Sequence, residues 1–252
     1  MSIIENNRRF MHCPKFRDVM SESDQQKGLP HPPHNNPATG PLLVLPSFEN
    51  VMIKSDYGIL LDDRRSVRAY EDVAMTQQEL AFMLWSVQGI QLQRGASTLR
   101  PVPSGGARHP FETYIAVKNV TGLTPGLYRY LPQENISEKC VTIESLGTIA
   151  DYDTTISQAL AGQAWAATSS VVLFYTCLPY RCEWRYAEAS HRVMLIDLGH
   201  VGQNAMLSAE ALGLGSCCMA AFDQEKCDAL LQVDGLDEYT VYGISVGKPR
   251  KG

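Results

Sequence analysis

Residues 113–131 read TYIAVKNVTGLTPGLYRYL. Two runs rich in β-branched and aromatic residues, Thr113–Val117 and Leu127–Leu131, flank the turn-forming segment Thr121-Gly-Leu-Thr-Pro-Gly126, so an antiparallel hairpin is expected here. Further along, Ser170-Val-Val-Leu-Phe-Tyr175 is apolar enough for a strand buried on both faces, and Thr240–Val246 reads as a last strand before the basic tail GKPRKG. Between and before these strands the pattern turns helical. Thr76-Gln-Gln-Glu79 has the form of a capping box, Leu80, Met83, Leu84 and Val87 follow at helical spacing, and Gly89 would stop the helix. Residues 149–166 and 188–212 read as two more helices. Strands and helices alternate without the regular rhythm of a doubly wound sheet, which points to an α+β fold, a sheet covered by helices.

Residues 28–46 (GLPHPPHNNPATGPLLVLP) are dense in Pro, His, Asn and Gly and read as an extended linker or wrapping arm. The expected division is therefore an N-terminal extension over 1–50 and one domain over 51–252, with enough apolar sequence for a sizeable core at 44% hydrophobic residues. A net charge of -5 gives no footprint for nucleic acid. No run of about 18 apolar residues is present, and the first twenty residues mix charges throughout, so a cytoplasmic protein without a membrane span is expected. The seven cysteines lack the paired spacing of a structural zinc site and are expected to be reduced thiols, Cys217-Cys218 included. His109 and His191 have no partners at metal-ligand spacing, so no metal is expected. Asn119-Val-Thr121 and Asn135-Ile-Ser137 match the glycosylation tripeptide but stand without a secretory signal, and neither is read as a modification site.

Three segments carry candidate chemistry. Arg64-Arg65-Ser66-Val67-Arg68 offers planar guanidinium forks and a short hydroxyl donor, a set suited to a phosphate; a solvated basic patch is the alternative reading. Arg100-Pro-Val-Pro-Ser-Gly-Gly-Ala-Arg-His-Pro110 places two adjacent glycines before a strand, either as an ordinary tight loop or as backbone that a flat ligand can approach. Gly213-Leu-Gly-Ser-Cys-Cys-Met-Ala-Ala-Phe-Asp223 is built of small residues. Its G-x-G closes a helix instead of opening one, so no Rossmann fingerprint is present.

Together with the WSVQGI helix end at 85–90, the PGLYRY hairpin at 125–130 and the GHVGQNAML helix at 199–207, these segments in this order resemble the nitroreductase superfamily, most closely its SagB-type branch of peptide-heterocycle dehydrogenases. The resemblance covers about residues 60 to 250 and implies a three-layer α-β-α sandwich with a central, mainly antiparallel sheet, an obligate homodimer, and FMN held between the subunits. Carried over by position, it implies that Arg64, Arg65, Ser66 and Arg68, with Lys248 or Arg250, hold the cofactor's phosphate, ribityl chain or pyrimidine edge. Pro103, Ser104 and Gly105 would lie against the ring, with Met219, Ala220 and Ala221 near its N5; His200 and Gln203 on the long helix match positions common in the SagB branch, and of the two only Gln203 is taken as a candidate, a satisfied core polar residue being the alternative for both.

Where SagB-type dehydrogenases resemble one another in a Lys-Tyr pair, this chain has Arg185-Tyr186. An Arg supplies charge but is a poor general base, whereas Tyr186 could donate or relay a proton. Nitroreductases commonly carry an Asn where this chain has Ala107 and an acid where it has Ala220, so contacts there would use backbone groups. The leading functional expectation is ping-pong transfer of hydride from NAD(P)H, through flavin N5, to a small-molecule or peptide acceptor. Oxidation of azoline rings in a peptide, and a flavin binder without turnover, are the alternatives.

Overall fold

The computed structural model describes residues 2–12, 15–132 and 141–250; the tripeptide Asn135-Ile-Ser137 lies outside them. The chain begins with two short helices, α1 (Ile3–Phe10) and α2 (Phe16–Ser21), then strand β1 (Leu42–Leu45), helices α3 (Tyr57–Asp63) and α4 (Gln77–Gln88), and a small hairpin, β2 (Leu92–Arg94) and β3 (Ser97–Leu99). Strands β4 (Phe111–Val117), β5 (Gly126–Leu131) and β6 (Val141–Gly147) follow, then helix α5 (Tyr152–Ala159) and strand β7 (Val171–Cys177). The rest is α6 (Tyr180–Tyr186), the long α7 (Ser190–Ala211), β8 (Gly215–Met219), α8 (Gln224–Leu231) and β9 (Tyr239–Gly247).

The expected hairpin is β4 and β5, with Tyr114 opposite Arg129 and Ala116 opposite Leu127. It sits inside a seven-stranded sheet of order β1-β6-β5-β4-β7-β9-β8 in which every neighbouring pair is antiparallel. Because side chains alternate across a strand, β4 and β7 feed two cores. Ile115, Val117, Leu173 and Tyr175 pack under α4 and α7. Tyr114, Ala116, Val172 and Phe174 pack against α5, α8 and the turn around Ala166. The result is the expected α+β sandwich of three layers.

Helix α4 begins where its capping box places it: the Thr76 hydroxyl accepts from the Glu79 N–H at 3.1 Å, and Glu79 Oε2 accepts from the Thr76 N–H at 2.7 Å. Gly89 does stop it, although not through a left-handed turn; its φ is -57°, and a side chain there would collide with Trp85. The helix read over 149–166 is instead broken after Ala159, because Ala161 and Gly162 take φ values of 53° and 83°. The last residues of the arm form β1, which pairs with β6 and brings the sheet into the arm. Just before β1, the arm caps a buried ion pair on the sheet face. Arg129 Nη2 stands 2.6 Å from Glu144 Oε1 and donates to the Pro37 carbonyl at 2.7 Å, while Glu144 Oε2 accepts the N–H of Thr39 at 2.7 Å and of Gly40 at 3.2 Å.

Candidate functional site

Helix α3 is started by Asp56, whose carboxylate accepts the Ile59 N–H at 3.1 Å. The chain leaves it at Arg64 and runs extended beside the outer edge of β8, where Ser66 bridges Ser216 in parallel and the Val67 N–H donates to the Ser216 carbonyl at 2.9 Å. Val67 fits because Gly215 has no side chain to oppose it. One turn later the same segment meets the chain's end: the Glu71 N–H donates to the Lys248 carbonyl at 2.9 Å, and the Arg250 N–H to the Ala69 carbonyl at 3.0 Å. Tyr70 anchors the junction from inside, its hydroxyl 2.7 Å from Ser245 Oγ.

Two sequence-distant groups, Arg64, Arg65, Ser66 and Arg68 on one side and Lys248 and Arg250 on the other, thereby share one corner. Among the described residues no carboxylate forms an ion pair with any of its four arginines. Arg65 donates to the carbonyls of Asp62 and Arg64 at 2.5 and 2.9 Å, Arg68 lies 5.7 Å from the centre of the Trp165 ring, and Arg250 reaches the Tyr70 carbonyl at 3.4 Å. Lys248 differs. Its Nζ is 2.6 Å from Glu79 Oε1, so its charge is met inside the chain.

The loop before β4 forms a second cluster. The Ser104 hydroxyl donates to Asp197 Oδ2 on α7 at 2.6 Å, the Gly105 N–H stands 3.1 Å from both Asp197 oxygens, and the His109 N–H donates to Ser104 Oγ at 2.9 Å. Pro103 is exposed beside them. The two glycines serve packing within the chain: a side chain at Gly105 would strike Val193, and one at Gly106, whose φ is 59°, would strike Arg185 and Tyr186. Arg185 and Tyr186 end α6 directly behind this loop. Arg185 Nη1 donates to Gln25 Oε1 of the arm at 2.8 Å, its guanidinium lies 5.6 Å from the centre of the Tyr186 ring, and its Nε is buried without a hydrogen-bond partner.

Asp197 escaped the sequence reading. The signal was there: an acid between Leu195-Ile196 and Leu198, on the buried side of a helix whose neighbours are apolar. Burial raises its carboxyl above the ordinary value, against the opposing pull of the Ser104 and Gly105 hydrogen bonds.

The remaining candidates join neither cluster. Met219 turns its side chain into the core beneath α5 and α8, leaving Ala220 and Ala221 exposed beyond the end of β8, with the Ala221 carbonyl accepting from Gln163 at 2.8 Å. Gln203 and His200 lie exposed on α7, on the same open face as Leu195 and Ile196, which are 56% and 49% exposed. The segment leading into α3 docks at the far end of α7, its Ile53 N–H donating to the Ala211 carbonyl at 2.9 Å, about 21 Å from Asp197 at the helical rise.

Among the described residues there is no group of three or more His, Cys, Asp or Glu able to hold a metal, and no helix long and apolar enough to cross a membrane. Cys217 and Cys218 are free thiols, as are Cys177, Cys182 and Cys227.

The sequence pattern described as the nitroreductase family matches residues 61–248, a span that contains the loop cluster and all of the arginine corner but Arg250. The chain belongs to the nitroreductase family. It is 31% identical over 206 residues to a Methanocaldococcus jannaschii protein named as a nitroreductase, covering 81% of this chain and 94% of that one. It is 32% identical over 123 residues to the trifolitoxin-processing protein of Rhizobium leguminosarum bv. trifolii, covering 48% of this chain and 32% of that protein. A solved structure named as a nitroreductase from Anabaena variabilis superposes with a TM-score of 0.65 at 25% identity, over 84% of this chain and 42% of the other. This nitroreductase-family protein is thus an oxidoreductase with the α+β fold of its relatives.

Proposed function

We propose that the protein binds FMN between the two subunits of a homodimer and uses it to carry two electrons from NAD(P)H to an organic acceptor. The observation that carries this reading is the corner of four arginines that form no ion pair with a carboxylate among the described residues, beside the exposed Ser66. Guanidinium groups without a counter-charge suit a phosphate, which they meet with bidentate, charge-assisted hydrogen bonds. FMN bound there would supply reversible acceptance and donation of hydride. Arg64, Arg65, Arg68 and Arg250 would hold its phosphate, with Ser66 as a short donor; Lys248, already paired with Glu79, would act by fixing the corner's backbone.

In such a dimer the loop of one copy, with Pro103, Ser104 and Gly105 against the ring, would stand beside the arginine corner of the other, which would hold the phosphate. The apolar residues left open on α7 and α3, Leu195, Ile196, Tyr57 and Ile59, are the surface such a pairing would cover. Met219, Ala220 and Ala221 would offer backbone groups at the ring edge. Tyr186 would hold a proton close to the ring, with Arg185 as a fixed positive charge behind it.

A peptide acceptor or donor is the second reading, favoured by the likeness of about half the chain to the trifolitoxin-processing protein. In that case Tyr186 would have to manage the proton without a neutral amine beside it, since Arg185 stays charged. The test is the visible spectrum of the purified protein, heat release of its chromophore, and anaerobic titration with NADPH and NADH. Released FMN that bleaches with either nucleotide supports the reductase. FMN that resists both turns the assignment toward oxidation of a substrate or toward binding without turnover, and a colourless protein that cannot be reconstituted overturns the proposal.

A further inference from the structure

Ser104 carries one proton and two lone pairs on its hydroxyl oxygen. The proton goes to Asp197 Oδ2 at 2.6 Å, and one lone pair takes the His109 N–H at 2.9 Å. What remains is a single lone pair. From these contacts we infer that Asp197 is a positioning residue that fixes the sense of hydrogen bonding at the loop: it makes Ser104 an acceptor toward whatever lies on the loop, and so selects a ligand that presents an N–H there. On the reading of the site as an FMN site, that donor is the imide N–H of the ring's pyrimidine edge. The two carbonyl oxygens that flank this N–H, which need donors, would have to be served by other groups.

Three features make Asp197 fit for this. It is buried, at 3% exposure, so water does not compete for its oxygens. It grips two consecutive residues, the Ser104 hydroxyl and the Gly105 N–H, so the loop cannot rotate one contact without breaking the other. Its helix is also the long α7, whose buried side packs into the main core through Met194, Leu198 and Val201, so the carboxylate is held on a rigid element.

The D197N, S104A and D197N/S104A variants test the inference. An amide at 197 can still accept the Gly105 N–H, but its other atom donates to Ser104 Oγ. Both lone pairs of that oxygen are then taken, and the Ser104 proton is forced outward, from acceptor to donor. D197N should therefore bind FMN about tenfold or more weakly and S104A only several-fold, on the order of a lost or inverted hydrogen bond. The double variant should return to the level of S104A, because deleting the hydroxyl removes the misdirected proton. A merely structural Asp197 would give additive losses, and that outcome, or D197N binding like the parent, overturns the inference.

A second readout needs no cofactor. In the apo-protein, hydrogen exchange at the Gly105 amide should stay slow in D197N and accelerate about tenfold or more in D197A; unchanged exchange in D197A overturns the inference. Failure of the unsubstituted protein to bind FMN would overturn the proposed function instead, and the exchange measurement would still show whether Asp197 holds the Gly105 amide of the loop.

Discussion

Lys248 Nζ stands 2.6 Å from Oε1 of Glu79, tying the tail that follows β9 to the first turn of α4. Glu79 uses its other oxygen to complete the helix cap, so one carboxylate serves two elements far apart in sequence. Replacing Lys248 by Ala removes a half-buried ion pair worth about 1 kcal/mol, and the expected result is a fall of about 2–4 °C in the melting temperature. FMN affinity should change little, since the four arginines remain. A large loss of affinity without a loss of stability would show that Lys248 reaches the ligand itself.

The arginine corner is tested by Arg64→Ala. Arg64 is half-buried where the chain leaves α3, and it forms no ion pair among the described residues. Each charge-assisted bond lost is worth about 1.5–3 kcal/mol, so the dissociation constant for FMN should rise roughly tenfold to a hundredfold. Equilibrium dialysis or fluorescence titration measures it, and an unchanged constant removes the phosphate from this corner.

Gly106→Ala should be costly for a reason that has nothing to do with a ligand. Its φ of 59° disfavours any side chain, and the new methyl would meet Arg185 and Tyr186. A loss of about 1–2 kcal/mol is expected from the backbone alone, seen as a lower denaturation midpoint and faster proteolysis in the loop. A variant as stable as the parent would mean that the 103–109 loop is free to move off α6.

Two buried histidines make stability depend on pH. Burial, with the charge of Arg100 nearby, pushes His34 down to about 4 and His109 down to about 3, from an ordinary value of 6.5. Both stay neutral in the folded chain while the unfolded chain takes up protons, so their contribution is complete above pH 6.5 and is lost as pH falls from there toward 4 and 3. His34→Gln keeps a donor for the Ala96 carbonyl and removes one of the two titrations. Its melting temperature should fall less between pH 7 and pH 5 than that of the parent; parallel profiles would show that His34 is not held neutral.

The parts of the fold that were legible in the sequence are those in which one signal sufficed. The β-branched and aromatic residues of Thr113–Val117 and Leu127–Leu131, on either side of a Gly- and Pro-containing turn, gave the hairpin, and Thr76 with Glu79 gave the start of α4. Elements formed by tertiary pairing were not legible. Strand β8, GSCCM, has no β-branched residue and exists because β9 lies beside it, and β1 is made from residues that look like a linker until β6 pairs with them. The site shows the same division. The residue types of the arginine corner were evident along the chain, but Lys248 looked like one more cation, because nothing local reveals that Glu79 meets it. The glycines of the loop suggested room for a ligand; their neighbours prove to be Val193, Arg185 and Tyr186, brought in by α6 and α7.

The ion pair of Arg129 and Glu144 lies beneath the arm, and Glu144 is satisfied by the backbone N–H groups of Thr39 and Gly40. Cutting the chain between residues 40 and 50 would take away those donors and strip the four-residue β1 from the seven-residue β6. A carboxylate shielded from water would lose two of its three partners, and a longer ladder of unpaired amides and carbonyls would face the solvent, ready to recruit strands from other molecules. Limited proteolysis within the arm would therefore register first as self-association, before any change at the arginine corner on the opposite edge of the sheet.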